Sequence, residues 1–203
     1  MNLIEKSEAQ EMLSPYVDDL YTWPMQAWDK YHRLIPDELL VEFCARTRAS
    51  AVHNLIVSQA RSAQQSNLRV FNHRKMAGIV INNRLVTRFK KFNEDSSSSS
   101  IPTKQVRDFR NQHTLPGFPS THNLELGYLL NEAQTEIVEV RIAQPSGRGV
   151  AWAFAINGGG IQDVVVDIFN NPNQPETREE GALIQPKESA KVATILQFKK
   201  GES

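Results

Sequence analysis

KMAGIVINNRLVTRFKKF, residues 75–92, is the stretch that decides the fold. Apolar residues recur with period two on both sides of Asn82-Asn83, the mark of two strands rather than a helix. Asn tolerates positive φ, so an Asn-Asn pair between such runs reads as a two-residue hairpin turn. Placing Ile81 opposite Arg84 sets the register. Met76, Gly78, Val80, Leu85, Thr87 and Phe89 then share one face. Lys75, Ala77, Ile79, Ile81, Arg84, Val86, Arg88 and Lys90 share the other.

Upstream of this hairpin the period is helical. Leu39, Leu40, Phe43, Thr47, Ala51 and Leu55 recur at helical spacing, which predicts a helix over 37–65. Leu20, Trp23, Ala27 and Tyr31 predict another over 16–31, with a kink or break at Pro24. Downstream, the serine run 96–100 reads as a flexible loop and 102–112 as a short helix opened by Pro102. Leu115-Pro116-Gly117 is a turn. A meander follows, with strands at 124–130, 137–143 and 150–156, then further strands at 161–169 and 192–198 around a mobile loop at 170–181. In 150–156 the bulky residues Val150, Trp152, Phe154 and Ile156 alternate with three alanines, so one face is thick and the other thin. The expected fold class is α+β, with N-terminal helices packed on a mostly antiparallel sheet or meander. A helical region 1–67 and a β region 68–203 are expected to form one compact domain.

Composition narrows the functional classes. Hydrophobic residues make up 40% of the 203, too many for a disordered chain. Cys44 is the only cysteine, so no intramolecular disulfide can form, and its place in the helical pattern predicts a buried structural thiol. The first residues carry acidic side chains where a signal peptide would carry an apolar core, and no run is long enough to span a membrane. A cytoplasmic protein is expected. The five histidines form no metal-binding spacing, and neither a G-x-S-x-G nor a phosphate-cradling glycine motif is present. No metal and no cofactor are expected.

Charge is the strongest global signal. The net charge is zero, but residues 69–113 hold ten Lys/Arg against three Asp/Glu, while both flanking regions are acidic. Seven cations are candidates for an anion- or nucleic-acid-binding surface: Lys75, Arg84, Arg88 and Lys90 on one hairpin face, and Lys104, Arg107 and Arg110 at spacings of three on the short helix. Like charges across strands repel, so such a face gains from an anionic partner. That partner is RNA or DNA, with phosphates neutralised, or an acidic protein surface. Alternatively the acidic terminal regions fold back and neutralise the patch.

One resemblance emerges from short motifs in a fixed order: Arg88-Phe89-Lys90-Lys91, Pro102-Thr103-Lys104-Gln105, Gln112 with Leu115-Pro116-Gly117, Leu126-Gly127-Tyr128-Leu129-Leu130-Asn131, and Trp152. Over residues 71–156 the chain resembles a group of uncharacterised prokaryotic proteins, commonly encoded beside an Xre-type helix-turn-helix regulator that is often fused to an ImmA/IrrE-like metallopeptidase. The resemblance implies a toxin–antitoxin-like or phage-defence module and an Xre-type partner. It carries over no catalytic residue. Two functional classes stay open: a non-catalytic interaction or regulatory protein, or a nucleic-acid-binding effector such as a metal-independent ribonuclease toxin. The first is favoured because the chain offers no poised acid–base pair.

Overall fold

Among the described residues, seven strands follow one another across a single sheet in chain order, and helices from the first third cover one of its faces. The structure is a computed structural model that describes residues 3–63, 67–73, 76–114, 117 and 121–163. Lys75, the loop 170–181, the strand 192–198 and most of 161–169 lie outside the described residues. The helices are α1 (Lys6–Leu13), α2 (Val17–Leu34), α3 (Asp37–Glu42) and α4 (Ala45–Ser62), with a single 3-10 turn at Ser14–Tyr16. The strands are β1 (Leu68–His73), β2 (Met76–Ile81) and β3 (Leu85–Lys91), then, after helix α5 (Lys104–Arg110), β4 (His122–Leu130), β5 (Ile137–Ser146), β6 (Gly149–Asn157) and β7 (Gly160–Asp163). All neighbours are antiparallel except β3 and β4, which run parallel. A parallel pair needs a crossover, and the segment between Lys91 and His122, carrying α5, supplies it. The α+β reading with a mostly antiparallel sheet therefore holds.

The helical third departs from expectation in three places. Helix α1 was not foreseen. Helix α2 runs through Pro24 instead of breaking there, with Pro24 itself buried among Leu20, Trp23 and Ala27. Burial of this face against the sheet outweighs the hydrogen bond that a proline forfeits. The helix expected over 37–65 is two helices, because Phe43 and Cys44 are extended. Helix α3 buries no residue, and Val41 is 82% exposed. Cys44 is exposed at the N-cap of α4, not buried. Its Sγ lies 3.3 Å from the Thr47 hydroxyl. That contact, aided by backbone N–H groups of Thr47 and Arg46, lowers its pKa.

The hairpin turn also differs. Ile81 pairs with Leu85, not Arg84, so the loop has three residues rather than two. Asn82 and Asn83 do take positive φ, at 52° and 55°. The Asn82 side chain accepts from the Tyr16 hydroxyl (3.0 Å), and its N–H donates to the Asn67 carbonyl (2.8 Å). A one-residue slip regroups every side chain of β3 against β2. Leu85, Thr87, Phe89 and Lys91 now go with Ala77, Ile79 and Ile81. Ile79, Ile81, Leu85 and Phe89 join α2, α4 and the bulky residues of β4–β6 in the main core. Trp23 meets Phe89 edge-on at 6.4 Å, and Trp28 lies 6.1 Å from Tyr128. Val86, Arg88 and Lys90 turn to the opposite face. The register first expected would have set Arg88 and Lys90 beside Ile79 and Ile81, at the price of charges in an apolar core.

The opposite face is covered by the crossover. Phe109 of α5 packs with Phe71, Met76, Val80 and Val86. Phe92 settles on the thin face, against Ala143 and Ala153. Gly127 has no side chain because none fits: a Cβ would run into the Lys90 carbonyl and the Phe92 ring.

Candidate functional site

The six described cations do not form one surface. Lys75 lies outside the described residues. Arg84, at the hairpin turn, makes an exposed ion pair with Glu8 of α1 (2.7 Å). Lys104 pairs with Asp108 one turn along α5 (2.6 Å), and Arg107 is exposed on the same helix. Arg110 is a structural clamp: its guanidinium donates to the carbonyls of Gly147, Arg148 and Gly149 and to that of Ser98. Arg88 lies over the Phe109 ring, 4.9 Å from its centroid, beside Glu125 on the paired strand. Arg88, Lys90 and Arg110 are thus brought together, but around the buried Glu125 rather than on a solvated face.

The serine run is part of this arrangement, not a loose loop. Ser96 and Ser98 are buried. The Ser98 hydroxyl donates to Glu125 Oε2 (2.7 Å), and Phe92 and Ser98 form an antiparallel bridge. Arg141 donates to the Ser96 hydroxyl (2.9 Å) and the Glu94 carbonyl (2.7 Å), while holding Glu139 through two nitrogens. Small hydroxyl side chains are what a segment needs to lie against a sheet face whose own polar groups, Glu125 and Arg141, are buried and must be satisfied.

Beyond Ser98 the segment forms one wall of a cleft of about 750 Å³. Helix α4 forms the other wall. Ala45, Ala49 and His53, four residues apart, line it, and the two alanines leave the space open. Ile56, Phe89 and Tyr128 give it an apolar floor. Its polar groups are Arg46, Ser50, His53 and Asn54 from α4, Lys90 and Lys91 from β3, and Asn93, Ser99 and Ser100 from the crossover. Three of the described lining residues are Lys or Arg and none is Asp or Glu. Lys90 Nζ donates to Ser100 Oγ at 2.5 Å. Burial, helped by the nearby Arg88, lowers the Lys90 pKa to about 8. Burial, followed by Arg48, also lowers that of Lys91. His53 is pushed down chiefly by burial, against the Asn54 hydrogen bond and with the fields of Lys90 and Arg88 adding to it. Its Nδ1 lies 3.5 Å from Asn54 Oδ1.

Lys90 is the one residue shared between the charge-based candidates and this cleft. Arg46, His53, Lys91 and Ser100 were missed. The available signal was the Ala45–Ala49–His53 stripe facing a strand that ends in two lysines, but only the packing of α4 on β3 makes it readable. No group of His, Cys, Asp and Glu suited to a metal ion occurs among the described residues, and none of their helices is long and apolar enough to cross a membrane. The chain matches no protein-family model, no curated protein and no solved structure.

Proposed function

We propose that this protein is a regulatory binding protein that takes an anionic ligand into the cleft between α4 and the C-terminal end of β3. The observation that carries this reading is the charge inventory of the cleft: three cations and no carboxylate above an apolar floor. Its volume suits a small organic anion, whose apolar part would lie on Phe89 and Tyr128 and whose charge would meet Arg46, Lys90 and Lys91. The resemblance supports a setting in a toxin–antitoxin-like or phage-defence module, where ligand occupancy would set engagement of an Xre-type partner. That partnership rests on the resemblance alone. A nucleic-acid surface is less well supported, because Arg84 and Lys104 are ion-paired and Arg110 is engaged with carbonyls.

Isothermal titration with pyrophosphate tests the reading. The wild-type chain should bind, and Arg46→Glu with Lys91→Glu should weaken binding by at least about tenfold, since each close charge contact reversed is worth about 1 kcal/mol or more. Equal affinity in the two proteins would refute it.

A further inference from the structure

Ser100 and Lys90 meet at the wall of this cleft, and the contact has the geometry of a nucleophile beside its base. We infer that they form a serine–lysine pair that cleaves carboxylic esters whose acyl part carries an anionic group. The inference rests on the anion-binding reading for its substrate class.

Three observations bear on it. First, the segment that carries Ser100 is held in place. Ser96 and Ser98 tie it to Arg141 and Glu125 on one side, and Thr103 caps α5 on the other, accepting from the Val106 N–H. A nucleophile needs such a fixed position. Second, the group beside Ser100 is a half-buried amine whose charge is opposed by burial and by Arg88 and Arg110, and favoured by the buried Glu125. With its pKa near 8, a useful fraction of Lys90 is neutral at physiological pH and can accept a proton. His53 faces Asn54 and Lys91 donates to Gln134, so the base in contact with Ser100 is Lys90. Third, Arg46 in the same cleft supplies positive charge for a tetrahedral oxyanion or for the anionic end of the acyl group, while Lys91 borders the cleft with its Nζ donating to Gln134 Oε1 at 3.3 Å.

The step balances. Ser100 Oγ attacks the ester carbonyl carbon and gives its proton to Lys90 Nζ. The bond to the leaving alkoxide breaks, and Lys90 returns the proton to it as the alcohol departs. Water then attacks the acyl-serine, losing a proton to Lys90. The carboxylic acid is released, and Ser100 regains its hydroxyl hydrogen from Lys90.

A fluorophosphonate tests the pair on the full chain. Intact mass and peptide mapping should show one phosphonyl adduct, on Ser100, forming faster as pH rises through about 8. Ser100→Ala should form none. Lys90→Arg retains the charge but cannot act as a base, so its labelling should fall at least about a hundredfold, with circular dichroism confirming that it folds. No adduct on the wild-type chain, an adduct on a different serine, or undiminished labelling of Lys90→Arg would overturn the inference. Pyrophosphate binding measured on the same wild-type sample separates the two claims. Binding without labelling overturns the pair and leaves the anion reading standing; labelling of Ser100 without binding leaves the pair standing and overturns the anion reading and, with it, the anionic acyl substrate.

Discussion

Lys90 is the residue on which site and stability meet. It lies on the crossover face of β3, donates to Ser100, and has burial as the main cause of its lowered pKa. The sign of the stability effect follows from proton counts. Well below pH 8 folded and unfolded chains both hold the proton, and the cost of burying the charge is constant. Between about 8 and 10.5 the unfolded chain holds a proton that the folded chain has released, so stability rises with pH. Urea unfolding of wild-type protein and Lys90→Met should therefore give curves that converge in favour of the wild type between pH 7 and 9.5, by about 2 kcal/mol. A gap that stays constant would mean that Lys90 titrates as it does in water. Anion binding should change in the opposite sense to serine labelling, falling as Lys90 loses its charge.

At the scale of elements, the crossover between β3 and β4 does the most to build the site. Composition alone read its serines as a solvated loop, since no apolar period runs through them. What makes them ordered is the opposing surface: Gly127, Ala143 and Ala153 leave room, and Glu125 and Arg141 need partners. The thin alanine face of β6 was legible in the sequence; what would lie on it was not. Gly127→Ala tests this packing. Its methyl would strike the Lys90 backbone, which cannot move aside without loosening the paired strand, so a loss of about 2 kcal/mol or more is expected. Limited proteolysis of that variant should cut within 92–101, where the wild type should resist. A variant as stable and as resistant as the wild type would show that the crossover does not seat on Gly127. Helix α4 shows the same limit of local reading. Its amphipathic character was visible, but its fully buried residues are Val52, Ile56, Val57 and Ala60, while Ala51 and Leu55 of the expected stripe are half-buried beside them and Thr47 is exposed.

Across the whole molecule, helices followed by a mostly antiparallel sheet were legible because they rest on periodicity, although α1 and β1 were not read, and the site was not legible because it rests on register. Two strands and a turn could be read from 75–92, yet the extra residue in the turn reversed which face each β3 side chain takes. The basic segment was real as composition, and its cations went to different tasks: Arg84 to α1, Arg110 to the β5–β6 turn, Arg88 to Phe109, and Lys90 to the cleft. The central claim is therefore about place. Anions should bind between α4 and the crossover segment, not along α5 and the hairpin turn. Amide hydrogen exchange with and without pyrophosphate reads this directly. The account predicts added protection within 45–54 and 99–101, and none at 104–110 or 82–85. Protection confined to α5 and the hairpin turn would contradict it.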